Sequence, residues 1–414
     1  MSILENSRIV RWIVHFWTFI CRLYAESFLS VLIGGLVRVV RSGCIWRFLT
    51  HDGLDRHWTD SGLCRLLQWL FDLPARFFAW LGRLAPGSRI ASLCKTVLVP
   101  ALGVMMFLLF TIPQEKWNNL YSLAMAAALC LLYFFISLSG EKHALNVRGV
   151  GVWPVLFFLL TAASWLWADE RGQSTRFLFF AVTCALTVLL TVSAADTERK
   201  LMTVLRISTV GLAVCAIYAL YQRATGVEVD ELLTDLSIHA DMPGRVFSFF
   251  ENPNSFANLL VFFSPLMLSM AIHVKKPAER IAYLLVFLLC GLALVMTYSR
   301  GGWLAIVLAA AVFTFCCNKR LIPALFVVGL LALPLMPESV LIRLSTIGNK
   351  ADSSTMHRID IWRGVLALIG DHDRFLTGIG LGPQTFRRIY PFYSVGFFCD
   401  LKRVTDVQTD ILPV

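Results

Sequence analysis

The chain has 414 residues, of which 57% are hydrophobic and only 15% are charged. Soluble globular domains average about 25% charged residues, so this composition excludes an ordinary soluble enzyme. The formal net charge is +10, but the basic residues lie between apolar runs or in the N-terminal third. No compact basic domain or nucleic-acid-binding motif is visible. We therefore expect an all-α integral membrane protein that has no nucleic-acid partner.

The N-terminal region, residues 1–95, is basic and rich in aromatic residues. Charges break its stretches RIVRWIVHFWTFICRLY and LLQWLFDLPARFFAWLGRL before either reaches the ~20 apolar residues that cross a bilayer. This pattern predicts amphipathic helices that lie on the anionic cytoplasmic leaflet and contact membrane lipids. The alternative is a spanning helix at 28–40, which would change the number of spans by one.

Residues 96–336 contain the apolar runs of a transmembrane helix bundle. Nine runs approach the length that crosses a bilayer. We predict a transmembrane helix in each of them, at 96–112, 120–139, 150–168, 177–195, 201–221, 255–274, 281–299, 302–317 and 321–336.

The connections between these runs alternate in charge. Short connections at 140–149, 196–200, 275–280 and 318–320 each carry at least two Lys or Arg residues. The positive-inside rule assigns them to the cytoplasm. The N-terminus is then cytoplasmic as well, and residues 337–414 form a large extracytoplasmic segment.

Arginines recur in three segments that this topology assigns to the outer side. Because guanidinium groups bind phosphate in a bidentate way and stay charged, several together favour an anionic, phosphate-bearing substrate. A single such arginine is more simply explained by snorkelling or an ion pair. The residues are Arg245 in MPGRVFSFFENPNSFANLL, Arg300 in TYSRGGWLA, and Arg343, Arg358, Arg363, Arg387 and Arg388 in the C-terminal segment.

Local patterns within these segments predict their backbone. The Asn252-Pro253 pair predicts a helix start. Gly301 and Gly302 favour a turn between two antiparallel helices, and Trp303 suits an interfacial anchor. The segment TGIGLGPQTFRRIYPFY lacks the strand–helix context of a dinucleotide site and predicts a turn-rich stretch.

Three segments resemble the O-antigen ligase and polymerase superfamily. GRVFSFFENPNSFANLLVFFSPLML resembles its R-x-x-(G/S)-x-F-x-N-P-N-x-x-A segment, and TYSRGGWLA resembles its T-x-S-R-G-(G/A)-W-(L/G) motif. RIDIWRGVLALIGDHDRFLTGIGLGPQTFRRIYPFY resembles its large outer loop. The segments occur in the family's order, and the resemblance covers residues 150–393.

This resemblance implies a multi-pass protein of the bacterial inner membrane in lipopolysaccharide or other cell-envelope polysaccharide biosynthesis. Its substrates would be an undecaprenyl-pyrophosphate-linked glycan and an acceptor, which is lipid A core, another glycan or a protein. The reaction would be an inverting, metal-independent glycosyl transfer without a cofactor. Ligases, polymerases and protein O-oligosaccharyltransferases share these motifs.

The resemblance also assigns site residues. It implies that Arg245 and Arg300 contact the pyrophosphate of the carrier. Further residues of the same motifs are candidates for supporting roles: Asn252, Asn254, Ser299, Arg358 and Tyr390.

The chain departs from the family after Tyr393. The family has an H-x-H-N-like motif there, with a histidine as proposed general base, whereas no histidine follows His372 here. Asp406, Gln408 and Asp410 lie near the expected position. We expect a C-terminus altered by truncation or a frame change, and weak or no transferase activity if the chain is complete.

Two other functions remain open at the level of sequence. A small-anion transporter would use charges and broken helices within the membrane, for which Arg206, Pro154 and Pro265 are the candidates. A non-catalytic membrane protein is the reading if the general base is missing and not replaced.

Overall fold

The structure is a computed structural model that describes residues 15–16, 18–19, 22–44, 53–84, 87–168, 170–227, 244–317, 338–345, 353–370 and 378–393. These residues are helical or irregular, and no strand occurs among them. The chain divides into two compact units. The first unit comprises Met1–Gly53 and Asn254–Ser345, and the second comprises Leu54–Pro253 and Thr346–Val414.

The α-helices are named here in chain order. They are α1 Phe28–Ser42, α2 Gly53–Asp60, α3 Gly62–Leu84, α4 Arg89–Thr111, α5 Asn119–Phe135, α6 Val152–Ser164, α7 Arg171–Ala194, α8 Glu198–Thr225, α9 Pro253–His273, α10 Pro277–Met296, α11 Arg300–Cys317, α12 Glu338–Ser345, α13 Ser353–Gly370 and α14 Pro383–Ile389.

Six helical segments of the described chain are long and apolar enough to cross a membrane. They are Arg89–Thr111, Asn119–Ser139, Ser174–Ala194, Glu198–Thr225, Pro253–His273 and Pro277–Met296. They confirm the prediction of a multi-pass helical membrane protein and correspond to six of the nine predicted spans.

The other three predicted spans are not confirmed. The run 150–168 holds only the 13-residue helix α6, which ends in a turn. The run 302–317 falls within α11, whose stretch Arg300–Thr314 is apolar but shorter than the six. The run 321–336 lies outside the described residues. The alternative span at 28–40 falls in α1, a helix of 15 residues.

Polar side chains cap the starts of the apolar helices and also occur within them. The Ser88 Oγ accepts the Ala91 N–H at the start of α4, and the Asn118 Oδ1 accepts the Leu120 N–H at the start of α5. Such caps satisfy donors that the first turn leaves open. Within α7, Thr183, Thr187 and Thr191 each donate to the carbonyl four residues earlier. These hydroxyls therefore add no unsatisfied donor to an apolar surface.

Small residues bring α4 and α8 together in the second unit. A Cβ on Gly103 would meet the Ile207 side chain at 2.8 Å, and one on Gly211 would meet the Phe107 Cα at 3.2 Å. Each glycine therefore leaves room for a larger residue of the opposite helix, and small residues at such contacts are the usual basis of close packing between membrane helices.

Helix α3 attaches to the connection 136–147 through a polar cluster. The Gln68 amide donates to the Leu145 carbonyl (2.9 Å) and to Asp72 (3.1 Å), and it accepts the Val147 N–H (3.1 Å). Lys142 Nζ lies 2.7 Å from Asp72 Oδ2. Burial alone would raise the pKa of Asp72, but the hydrogen bonds from Lys142 and Gln68 and the nearby positive charges outweigh it and lower the pKa. Asp72 is therefore held as a carboxylate.

The two faces of α3 differ in residue size. Small or polar residues are buried: Cys64, Asp72, Ala75, Ala79 and Gly82. Large apolar residues on the remaining surface are 43–55% exposed: Leu66, Trp69, Leu70, Leu73, Phe77 and Trp80. The predicted helix is confirmed, and its large apolar side chains lie away from the packed face.

Gly82 allows α3 to approach the connection. A Cβ at this position would collide with the Leu138 carbonyl and lie 2.8 Å from the Gly140 backbone nitrogen. We expect Gly82→Ala to lower the free energy of unfolding by about 1–3 kcal/mol, because backbone atoms cannot move aside as a side chain can. The melting temperature of the protein purified in detergent micelles measures this loss.

The control is Gly62→Ala in the same helix. No atom lies within 4 Å of a Cβ built there, so this variant should melt at or above the temperature of the unmodified protein. An equal loss in both variants would contradict the docking of α3 through Gly82.

Candidate functional site

The segment that carries Arg245 is held by one buried amide side chain. Gln222 near the end of α8 donates its Nε2–H to the Ser248 carbonyl (3.1 Å). Its Oε1 accepts the backbone N–H groups of Phe247 (3.2 Å) and Ser248 (2.8 Å). Ser248 has a φ of 55°, so this turn is a non-helical break in the backbone. Gln222 satisfies three of its backbone groups.

Further contacts fix the turn from other sides. The Ser248 hydroxyl donates to the Cys215 carbonyl at 2.8 Å. The Phe249 ring stacks on Tyr218 with 4.4 Å between centroids and 6° between planes. The Phe249 carbonyl accepts the Gln114 N–H at 3.1 Å. Arg245 itself is 8% exposed, so its position is set within the packed protein.

Helix α9 begins at Pro253, as the Asn252-Pro253 pair predicts. Asn252 and Asn254 on either side of this start are half-buried. Phe256 and Ala257 of the first turns are completely buried. Both asparagines are therefore held at a packed helix end.

The segment that carries Arg300 is a tight turn between α10 and α11. Thr297 donates its hydroxyl to the Leu294 carbonyl (2.7 Å), and its Oγ1 accepts the Ser299 N–H (3.3 Å). The Ser299 Oγ then accepts the Gly302 N–H (3.3 Å). Ser299 thus acts as the N-cap of α11, which makes Arg300 the first residue of that helix.

Two predictions for this segment are wrong. The left-handed residue of the turn is Tyr298, with a φ of 51°, whereas Gly301 and Gly302 lie inside α11. Trp303 is not an interfacial anchor, since it is 9% exposed and donates its indole N–H to the Leu294 carbonyl at 3.2 Å. Tyr298 is 2% exposed and pairs its hydroxyl with Ser339 at 2.9 Å. Both aromatic residues therefore stabilise the turn from within.

Gly302 serves packing. A Cβ there would lie 3.0 Å from the Ala257 Cβ and 3.1 Å from Leu294, whereas one on Gly301 would meet nothing within 4 Å. The start of α11 can therefore lie against α9 and α10 only because position 302 has no side chain.

The charge of Arg300 adds to that of the helix end. The N-terminus of an α-helix carries a partial positive charge, so an arginine there is at the less favourable end for a cation. Arg300 is half-buried. An anion at this position would interact with both the guanidinium and the helix N-terminus.

The C-terminal stretch 378–393 packs on the start of α7. Gly378, Gly380 and Gly382 have φ values of 66°, 96° and 109°, which L side chains rarely adopt. A Cβ on Gly380 would overlap Ala168, and one on Gly382 would lie 2.8 Å from the Phe177 ring. The predicted turn-rich stretch is confirmed only for residues 378–382, because residues 383–393 are helical. Gly380 and Gly382 are required by both dihedral angle and contact, whereas Gly378 is required by its dihedral angle alone.

Polar contacts complete this junction. The Ser174 hydroxyl donates to the Leu381 carbonyl (2.9 Å) and accepts the Leu381 N–H (3.1 Å). Arg388 Nη1 lies 2.7 Å from Glu170 Oε1. One arginine of the segment is therefore engaged in an ion pair, and Arg363 similarly lies 3.7 Å from Asp360.

Tyr390 is a packing residue. It is 5% exposed, donates its hydroxyl to the Asp360 carbonyl at 3.3 Å, and stacks on Phe386. Its ring fills the space beside Gly364 in α13. Arg358, on the same helix, is exposed. These contacts give Tyr390 a role in joining α14 to α13.

The candidate residues divide between the two units. Arg245, Asn252, Arg358 and Tyr390 belong to the second unit, and Asn254, Ser299 and Arg300 belong to the first. The stretch predicted to lack the general-base motif, 394–414, lies outside the described residues. Among the described residues, no group of three His, Cys, Asp or Glu side chains could hold a metal ion.

Residues 285–398, a little over a quarter of the chain, match the family described as O-antigen ligase. Over these residues the chain is similar to that family, and this supports the resemblance to the O-antigen ligase superfamily. The matched stretch contains Arg300, Arg358 and Tyr390, whereas Arg245 lies before it. No curated protein and no solved structure matches the chain. The family implies a glycosyltransferase-like function in a membrane, with a lipid-linked glycan and an acceptor as partners.

Gln222 is the positioning residue that sequence reasoning missed. We expect Gln222→Ala to speed amide hydrogen exchange at Phe247 and Ser248 by about tenfold or more, equivalent to about 1.4 kcal/mol. The physical reason is that the substitution leaves two N–H groups and a carbonyl of a buried turn without their partner. Hydrogen exchange with mass spectrometry on the detergent-purified protein measures the change.

Thr225→Ala on the same helix is the matched control, because the Thr225 hydroxyl bonds only to carbonyls of its own helix. It should leave exchange at residues 247–248 unchanged. Unaltered exchange in the Gln222 variant would show that the amide does not hold the turn.

Gly302→Leu should destabilise the protein by about 1–3 kcal/mol or more, because the new side chain must displace Ala257 and Leu294. Gly301→Leu meets open space and gains helix propensity of up to about 1 kcal/mol. Melting temperatures of the two purified variants make the comparison. A Gly302 variant as stable as its Gly301 counterpart would refute the close packing of α11.

Proposed function

We propose that this protein transfers a glycan from an undecaprenyl-pyrophosphate carrier to an acceptor at the outer face of the bacterial inner membrane. The N-terminus lies in the cytoplasm and residues 337–414 lie outside. The acceptor is lipid A core, a growing polysaccharide or a protein. The observation that supports this most directly is the Ser299-capped turn that fixes Arg300 at the first position of α11, within the family-matched stretch.

In the proposed reaction, Arg245 and Arg300 bind the pyrophosphate. An acceptor hydroxyl attacks the anomeric carbon from the face opposite the leaving group, which inverts the configuration. As the bond to the carrier breaks, its electron pair stays on the phosphate oxygen, and negative charge grows there. Guanidinium groups that stabilise this charge more strongly in the transition state than in the ground state accelerate the step.

The remaining candidates support the site in different ways. Asn252 and Asn254 flank the start of α9, where their amides can donate to phosphate or sugar oxygens. Ser299 and Tyr390 act through structure, since one caps α11 and the other packs α14 on α13. Arg358 is an exposed cation available to the substrate. The proton of the acceptor hydroxyl needs a general base, whose contribution is typically about 10²–10⁴-fold.

Helix α3 has a separate part in this arrangement. We place its exposed apolar side chains in the cytoplasmic leaflet, with Arg65, Arg76 and Arg83 near the anionic headgroups. Its polar attachment to 136–147 supports this placement, because that connection includes part of the Lys- and Arg-rich stretch assigned to the cytoplasm.

We expect Arg300→Ala to reduce glycan transfer by about 10²–10³-fold while the protein stays in the membrane. Loss of one group that stabilises developing charge has an effect of this size. Arg300→Lys should retain part of the activity, because it keeps the charge but loses the bidentate geometry. Arg245 is buried, so Arg245→Lys and Arg245→Gln are the milder variants for that position. Membrane vesicles supplied with a carrier-linked glycan and an acceptor provide the assay.

Arg280→Ala, which removes an exposed arginine from the start of α10, is the charge-matched control and should transfer normally. Undiminished transfer by a well-expressed Arg300→Ala protein would refute the pyrophosphate role. Uptake of small anions by proteoliposomes, lost in the same variant and without any transfer, would favour the transporter instead.

A further inference from the structure

A cavity of about 690 Å³ lies within the second unit between the connection 113–121 and the start of α7. Its volume falls in the range of about 300–1,000 Å³ that is typical of sites for small organic ligands. The residues that matter for its chemistry are Glu115, Lys116, Trp117, Asn119, Tyr121 and Arg176. None of them belongs to the site proposed above.

Two aromatic rings form part of its wall. The Trp117 indole donates its N–H to the Ser122 hydroxyl at 2.5 Å, which fixes the ring orientation. The Tyr121 ring meets it edge to face, with 6.1 Å between centroids, and is 57% exposed. A fixed aromatic surface next to polar groups suits a ligand that has both an apolar face and many hydroxyls. A sugar ring has this combination, because its C–H bonds form the apolar face.

The charges of the wall are unbalanced in favour of cations. Arg176 and Lys116 face one carboxylate, that of Glu115. No ion pair joins any of the three to another described residue. The exposed Asn119 amide can both donate and accept hydrogen bonds. A ligand with hydroxyls and at least one acidic substituent would therefore match the wall better than a neutral sugar would.

Hydrogen bonds join the elements that line the cavity to two segments described above. On one side, Gln114 binds the Phe249 carbonyl of the turn that follows Arg245. On the other side, Ser174 lies two residues before Arg176 in α7. Its hydroxyl donates to the Leu381 carbonyl of the glycine-rich stretch. Both elements that line the cavity are therefore hydrogen-bonded to segments of the family-like motifs, the Arg245 turn and the glycine-rich stretch.

We infer that this cavity binds the sugar units of an acidic oligosaccharide that takes part in the transfer, an inference that rests on the proposed function. Trp117 and Tyr121 stack on the sugar rings, and Glu115 and Asn119 bind hydroxyls. Arg176 and Lys116 pair with the acidic substituent. The glycan is either the donor's or the acceptor's, and both would present the same chemistry to the wall.

The first test measures binding to the full chain purified in detergent micelles by isothermal titration calorimetry. The probes are trigalacturonic acid, the neutral trisaccharide maltotriose, and glycerol phosphate as a lipid-headgroup mimic. Trigalacturonic acid should bind at least about tenfold more tightly than either of the others. Arg176→Ala should weaken the binding of trigalacturonic acid by about 10–100-fold, which is the range for a lost hydrogen bond to a charged group. Tyr121→Ala should weaken the binding of both trigalacturonic acid and maltotriose, because both would stack on its ring.

The controls separate this inference from the proposed function. Arg199→Ala removes an exposed arginine from the start of α8, beyond the far end of α7, and should not change binding. Arg300→Ala should reduce transfer by about 10²–10³-fold and leave trigalacturonic acid binding intact. Transfer that survives Arg300→Ala would refute the pyrophosphate role alone. Absent saccharide binding, or glycerol phosphate binding as tightly as trigalacturonic acid, would overturn the cavity assignment alone.

The second test identifies the source of the glycan in cells. Tyr121 is replaced by the photoreactive p-benzoylphenylalanine, and the cross-linked product is analysed by mass spectrometry in strains with and without donor synthesis. A saccharide captured only when the donor is made would assign the cavity to the donor, and one captured in both strains would assign it to the acceptor. Capture of phospholipid alone would overturn the inference.

Discussion

Helix breaks in an apolar protein need partners for every freed backbone group, because lipid offers none. Both arginine segments are such breaks, and neutral side chains satisfy them. Gln222 holds the turn at 247–248, while Thr297 and Ser299 hold the turn before α11. The Trp303 indole donates to the Leu294 carbonyl near the end of α10, which also accepts the Thr297 hydroxyl. Packing follows from these bonds, since Gly302 can contact Ala257 only when α11 begins at Arg300.

Different side chains hold the backbone of these turns and carry their charge. The backbone of each turn is held by amide, hydroxyl and indole groups, so the guanidinium of Arg300 is the first side chain beyond a completed cap. A cation at a helix N-terminus costs up to about 1 kcal/mol in the absence of an anion. In the function proposed above, the pyrophosphate is the anion that interacts favourably with both this helix end and the guanidinium. Because the guanidinium is already in place, the protein does not have to rearrange when negative charge develops on the leaving phosphate.

The sequence predicted most of the architecture because hydropathy and helix-start signals act locally. The six long helices and the start of α9 at Pro253 are of this kind. Trp303 was misassigned because an indole is equally suited to a membrane interface and to a buried hydrogen bond with a carbonyl. Only the residues packed around it decide which of the two environments it occupies. Gly302 likewise looked like a turn residue, whereas Tyr298 adopts the left-handed conformation. Gln222 and Gly82 gave no signal, since their partners are 25 or more residues away in the chain.

Recognition of the carrier and recognition of the glycan pose different physical problems. A pyrophosphate is the same in every carrier-linked donor, so a fixed arginine at a helix end can serve any of them. Glycans differ in ring stereochemistry and substituents, and discrimination among them needs a shaped wall with specific polar groups. In this chain Arg300 lies within the family-matched stretch 285–398, whereas the cavity at 113–121 and Arg176 lies outside it. A common chemical step on one segment and a separate surface for the variable part of the substrate would let specificity change without disturbing the turn that positions the charge.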